Sequence, residues 1–409
     1  MKRLAFLVLN LTLIGLVAHA GMELTSARVY RKQGELQKAL EWYDRAIAAD
    51  SADVAACFEK GELLGQMAEE QKKAELFVEM RKAFDGVLNL ADKQPKQVKK
   101  YQSQIDGLVE KYWIAQYNEA IEKFRLAESD SALDAAAQAL AQDTWATLGN
   151  TQRDSLRKVA RDDYLKQSED VLKTAITIDP ERWRTYTLMQ NIHSKREDWT
   201  AAEVSLREAI ARHVNPAQVP SKKGVIQQTE DEWRLSHREM LANLAQISFE
   251  LKKYEEVVKV CNEILALDSQ DLLAVKLIAF SYSLLGDREK AIDAYKRALA
   301  AQPNNTDLLY NASHLYLQMG DTAKAVACLS DLIAINPTDF EVVFQLGVIY
   351  LEGGGYADNN KAKELFGNAT KNFPDNPVAW HNYGVALIRV GEIEEGKKAI
   401  GKAKALKGE

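Results

Sequence analysis

Apolar positions recur along this chain in steps of three and four, punctuated at regular intervals by glycine and proline. In the stretch from Leu272 to Asn305, Val275, Ile278, Ala279 and Tyr282 fall on one helical face. Gly286 ends that run, and a second one through Ala291, Tyr295 and Ala298 stops before Pro303, which cannot continue a helix. The spacing predicts a helix-turn-helix hairpin whose small residues, Ala279, Ala291 and Ala298, let the paired helices approach closely. A hairpin of this kind cannot bury both of its faces alone, so it must stack on its neighbours.

The unit repeats. Tyr282, Tyr316 and Tyr350 are spaced by 34 residues, as are Gly286, Gly320 and Gly354. Ala291 and Ala325 keep the step, and so do Pro303 and Pro337. Pro374 arrives three residues late, after an insertion at Gly353-Gly354-Gly355. Several independent marks sharing one period make coincidence a poor explanation.

These residues resemble the tetratricopeptide repeat, whose large-small-tyrosine, glycine, alanine, aromatic, alanine and proline pattern they match nearly position by position. Further matching units begin near Thr306, around Leu346 to Pro374, and at Trp380 to Gly391. Tyr30, Gly34, Ala39, Tyr43 and Ala46 form another, and Trp183 to Pro216 and Arg238 to Asp271 follow the pattern more loosely. The resemblance implies an all-α fold, a right-handed α-solenoid of about nine or ten stacked hairpins.

Residues 54 to 180 depart from the pattern, with long helical stretches at Ala74 to Leu90 and Tyr112 to Ala127. Helical hairpins of uncertain register are the expectation there. Pro216, Pro220 and Gly224 in a polar context predict a loop or hinge over 216–230, dividing an N-terminal solenoid (21–215) from a C-terminal one (231–409).

The first twenty residues read differently. Lys2 and Arg3 precede an apolar run from Leu4 to Val17, and Ala18-His19-Ala20 fits a small-residue cleavage box. The run is shorter than the roughly 20 residues a membrane-spanning helix needs. A secretory signal peptide cleaved after Ala20 is the expectation, giving a periplasmic or secreted chain with no stable membrane span after processing. A start at Met22 would instead leave the protein in the cytoplasm.

Composition narrows the function. The 59 acidic residues exceed the 53 basic ones, for a formal net charge of −6, so no cation excess exists to neutralise a phosphate backbone, and nucleic acid is not expected as a partner. Cys57, Cys261 and Cys328 are too few and too scattered for a disulfide framework or a zinc site. The histidines make no metal-ligand spacing, and no phosphate-binding loop or nucleophile elbow is present. The triple glycine falls where the repeat needs a turn. Neither cofactor, metal nor catalysis is expected, although an enzyme site within 54–180 would show itself as a cluster of buried titratable groups.

The resemblance also implies where a partner would lie. In this family the first helix of each hairpin lines a groove, and its second, fifth, sixth, ninth, twelfth and thirteenth residues can face a ligand. At the sixth position stand Asn243, Leu277, Asn311, Gln345 and Asn382, similar to the asparagine ladder of peptide-binding members. An amide both donates and accepts, so it can pair with one peptide group of an extended chain. Amides are also ordinary at half-exposed helix positions. Gln246, Lys276, Phe280, Tyr310, His314, Phe344 and His381 fall in the same register, with core packing the competing role for the aromatic residues. A clamp for a C-terminal carboxylate is not expected: Lys276 and Asn311 match two of its positions, but Phe280, Glu341 and Gln345 occupy the other three. The combined expectation is a scaffold holding a protein or peptide partner. The alternative is a structural subunit of an envelope complex serving polysaccharide export, pili or outer-membrane assembly.

Overall fold

A computed structural model describes residues 21–216, 229–352 and 354–408. The expected leader (1–20) and all but the ends of the expected loop (216–230) lie outside the described residues. The described chain is all-α, built of helical hairpins, and divides at residue 220 into two compact units.

In the N-terminal unit, α1 (21–32) and α2 (Leu36–Ala49) form the first hairpin, with Gly34 at φ 78° in the turn. That left-handed conformation strains any residue with a Cβ. α3 (Val54–Gln71) begins where the Asp53 carboxylate accepts from the Ala55 and Ala56 amides, and it pairs with α4 (Ala74–Leu88). The small-against-large rule is visible here: a Cβ on Gly61 would lie 2.5 Å from the Phe84 ring. Tyr43, Leu63, Met80 and Phe84 are fully buried around these contacts, and each such side chain contributes roughly 2–3 kcal/mol through burial.

The divergent region is not a run of simple hairpins. The stretch read as Tyr112 to Ala127 belongs to a 34-residue helix, α5 (Pro95–Glu128), which starts with proline in its first turn, where the missing N–H costs nothing. Its antiparallel partner is α7 (Asn150–Ile178), and α6 (Asp130–Ala141) with a 3-10 turn (Gln142–Thr147) is interposed between them. The pairing is fixed by a buried contact in which the Ser168 hydroxyl donates to the Ala120 carbonyl at 2.8 Å. A hairpin of α8 (Trp183–Lys195) and α9 (Trp199–Arg212) completes the unit. Trp113 Nε1 of α5 donates to the buried Thr185 hydroxyl of α8 at 2.9 Å.

The C-terminal unit is five regular hairpins: α10 (Glu230–Glu250) with α11 (Tyr254–Leu267), α12 (Leu272–Leu285) with α13 (Arg288–Ala301), α14 (Thr306–Gln318) with α15 (Thr322–Ile335), α16 (Phe340–Glu352) with α17 (Asn359–Asn372), and α18 (Pro377–Arg389) with α19 (Ile393–Lys407). α10 starts eight residues before the expected Arg238, because Thr229 and Glu232 form a reciprocal capping box. Residue 230, assigned to the loop from sequence, is therefore helical.

The 34-residue marks now have physical causes. Asp271 and Asn305 cap the first helices of successive hairpins through their side chains. Gly286 and Gly320 close those helices at φ 79° and 77°. The periodic tyrosine sits under a lysine of the second helix, Lys290 over Tyr282 at 5.3 Å, Lys324 over Tyr316 at 5.4 Å and Lys361 over Tyr350 at 5.3 Å. The same lysine pairs with the aspartate that caps its helix, Asp287, Asp321 or Asp358. Lys38 over Tyr30, paired with Glu35, repeats the device in the first hairpin of the chain.

Ala279, Ala291 and Ala298 are all fully buried, in accord with the close helix contacts expected. In the last hairpin a Cβ on Gly384 would lie 2.7 Å from the Gly396 carbonyl oxygen, and one on Gly396 would lie 2.8 Å from that of Gly384. Here α18 and α19 touch backbone to backbone.

Candidate functional site

The first helices of the C-terminal unit each bury one side and leave another open. In α10, Leu241, Leu244, Ala245 and Ser248 are buried, whereas Glu239, Asn243, Gln246 and Glu250, spaced by four, three and four, are exposed. Such spacing defines one continuous helical stripe. In α14 the open stripe holds Asp307, Tyr310, His314 and Gln318, with Asn311 half-buried; in α18 it holds Val378, His381 and Ile388, with Asn382 half-buried. α12 offers Leu273 and Leu284 as exposed side chains and Lys276, Leu277 and Phe280 as half-buried ones. α16 exposes Glu341 and Glu352, with Phe344 and Gln345 half-buried.

Consecutive stripes meet. Gln345 Nε2 donates to the Tyr310 hydroxyl at 3.1 Å across two hairpins and to Glu341 Oε1 at 3.0 Å. Those sequence-chosen residues therefore share a surface. The remaining ladder amides are partly engaged by their own helices: Asn311 Nδ2 donates to the Asp307 carbonyl at 2.6 Å and Asn382 Nδ2 to that of Val378 at 2.9 Å. Among the described residues no group donates to either amide oxygen, so each retains an acceptor. Gln318 and the His314 ring share a hydrogen bond of 3.0 Å.

The two phenylalanines are placed differently from Tyr310. Phe280 meets Tyr295 edge to face at 5.9 Å, and Phe344 meets Phe366 at 6.5 Å and Phe340 at 6.2 Å. Both rings are wedged against their own hairpins and offer a partner only part of their surface. Tyr310, 37% exposed, is more available to a ligand than either phenylalanine.

The N-terminal unit carries a different surface at the corresponding positions. Arg28 of α1 grips Glu59 of α3 through Nε at 2.9 Å and Nη2 at 2.5 Å, and Arg31 reaches Glu62 at 2.7 Å. The Glu59 carboxylate, by accepting these bonds, holds the Arg28 guanidinium above its ordinary pKa despite partial burial. Further ion pairs link α3 to α5 (Glu69 with Lys111, 2.7 Å) and α5 to α8 (Glu128 with Lys195, 2.8 Å). Sequence reasoning missed this network, although Arg28 and Arg31 each precede their partners by the same 31 residues.

The divergent region also forms a cleft of about 510 Å³ lined by α3, α4, α5 and α7, with Glu69, Lys72, Phe77, Tyr112, Glu119 and Asp170 on its walls. Its three carboxylates, Glu69, Glu119 and Asp170, are exposed. Among the described residues no group of three or more histidine, cysteine, aspartate or glutamate side chains is placed to hold a metal, and no described helix is long and apolar enough to cross a membrane. Burial pushes the Cys261 thiol up to about 12, which removes the thiolate that nucleophilic or metal-binding chemistry needs.

Two tetratricopeptide repeat family models match the chain, over residues 284–347 and 26–55. Over these stretches the chain is similar to tetratricopeptide repeats. No curated protein matches. Among solved structures, a tetratricopeptide repeat protein from Parabacteroides merdae is 16% identical, with 55% of this chain and 79% of that one covered at a TM-score of 0.38. YrrB, described as a tetratricopeptide repeat protein with an unusual peptide-binding site, is 23% identical over 42% of this chain and 86% of its own, at 0.35. MamA from Desulfovibrio magneticus is 19% identical over 42% and 94%, also at 0.35.

Proposed function

We propose that the chain is a non-enzymatic scaffold whose C-terminal repeats hold an extended protein or peptide segment along their first-helix face. The observation that carries this reading is the open stripe shared by consecutive hairpins, joined by the bond from Gln345 to Tyr310 and supplied with amides and an exposed tyrosine. An extended segment brings a row of unpaired peptide groups, and the amide oxygens of Asn311 and Asn382 are suited to accept from them. Exposed aliphatic side chains such as Leu273 and Val378 offer contacts between those bonds. The sequence of residues 1–20 supports export, so the reading extends to a scaffold working in the periplasm or outside the cell.

Selection of a random linear-peptide library on the full chain tests the proposal. Selected peptides are expected to lose binding when Asn311→Ala and Asn382→Ala are combined, by about 1–3 kcal/mol per amide, with melting unchanged. Peptides that bind the double variant as tightly as the wild type would count against the face.

A further inference from the structure

The chemistry of the bound segment follows from the charge of the same face, an inference that rests on the reading above. Glu239, Glu250, Asp307, Glu341 and Glu352 are all exposed on the first-helix stripes of the C-terminal unit, and among the described residues none of them is paired with a cation. The cations on those stripes are Lys276 and Arg389, and the Arg389 guanidinium is already donating to the Leu351 carbonyl. In the N-terminal unit the first-helix carboxylates Glu59 and Glu62 are paired with arginines of the preceding hairpin. Negative charge is therefore in excess on the first-helix stripes of the C-terminal unit. It sits beside exposed apolar side chains, Leu273, Leu284 and Tyr310 among them.

We infer that the occupant of this face is a basic segment with interspersed apolar residues. Exposed carboxylates on adjacent helices repel one another, and a cationic partner relieves that repulsion on binding, whereas an acidic one adds to it. Apolar side chains of the segment then cover Leu273, Leu284 and the Tyr310 ring.

The test titrates the full chain with three fluorescent peptides of about twelve residues, alternating leucine with lysine, glutamate or serine, and follows anisotropy at about 50 and 300 mM salt. The lysine peptide is expected to bind at least about tenfold more tightly than the glutamate peptide and to weaken as salt rises. Asp307→Lys combined with Glu341→Lys is expected to abolish that preference. Glu263→Lys combined with Asp293→Lys, an equal charge change on exposed positions of second helices, is expected to preserve it. Equal loss in both variants would mean diffuse attraction and would overturn the inference. Tighter binding of the glutamate or serine peptide would overturn the charge assignment while leaving the face as a peptide site. No binding of any peptide would remove both.

Discussion

The two halves of this molecule use one structural device for opposite ends. In the N-terminal unit, charged residues at the ligand-facing positions of the first helices are spent on each other: Arg28 on Glu59 and Arg31 on Glu62. In the C-terminal unit the same positions hold amides, an exposed tyrosine and carboxylates without cationic partners. A stacked array needs its buried seams to persist, but its open helix faces are free to vary. Packing therefore explains why both halves fold, and only the open faces say which half has something left to bind.

The largest expected effect tests whether the units fail separately. Gly384→Val pushes a branched side chain into the Gly396 backbone, where a first added carbon already meets a carbonyl oxygen at 2.7 Å. Backbone cannot rotate away as a side chain can, so a loss of about 3 kcal/mol is expected. Hydrogen exchange should accelerate in α18 and α19 and remain slow in α3 and α4, because stability in a repeat array is mainly a matter of adjacent units. Equal acceleration everywhere would mean that the chain unfolds as one body.

A milder break is Ala291→Leu. Ala291 is fully buried in α13, and overpacking this seam is expected to cost about 1–3 kcal/mol, read as a lower urea midpoint in the C-terminal unit alone. An unchanged midpoint would show that the seam has room and that the register is wrong.

Smaller in stability but sharper for the comparison is Arg28→Gln combined with Arg31→Gln. Both ion pairs are partly exposed, so their removal is expected to cost less than about 1 kcal/mol each. It leaves Glu59 and Glu62 without their cations and makes the N-terminal face resemble the C-terminal one. Weak new binding of the lysine peptide, seen in a variant whose C-terminal face carries the Asp307→Lys and Glu341→Lys changes, is the expected outcome. Its absence would show that unpaired charge is insufficient without the amides and apolar side chains.

The smallest effect is a pH response of His193 in the N-terminal unit. Burial lowers the pKa of His193 in α8, opposed by the charges of Glu169 and Asp198 and reinforced by those of Arg196 and Lys173. A histidine whose folded pKa lies below its ordinary 6.5 favours the folded state when neutral. Its contribution is therefore present above about 6.5 and is lost as pH falls below that value. His193→Gln should flatten part of the loss in melting temperature between pH 7.5 and 5, and an identical loss in the variant would assign the response elsewhere.

Much of this architecture was legible in the sequence because each 34-residue mark reports a local need: a glycine at positive φ, an aspartate cap, a tyrosine under a lysine. The divergent region was harder to read. There α5 and α7 are long enough to pair along their lengths without the punctuation of a repeat, and α6 intervenes between them. Even so, Pro95 in the first turn of α5 was a readable start signal. Asn243 and Gln246 are exposed, but the period does not say what a half-exposed ring touches, and Phe280 and Phe344 rest on aromatic residues of their own hairpins. Nor does it say which charges pair across hairpins, since that depends on the stacking of neighbours.

Hydroxyl-radical footprinting of the full chain, with and without the lysine peptide, tests the central claim most directly. Oxidation of Tyr310, His314 and His381 should fall on binding, while Tyr30 and Trp42 in the first hairpin should label equally in both states. Protection centred on that first hairpin, with Tyr310 and His314 still fully labelled, would contradict the account.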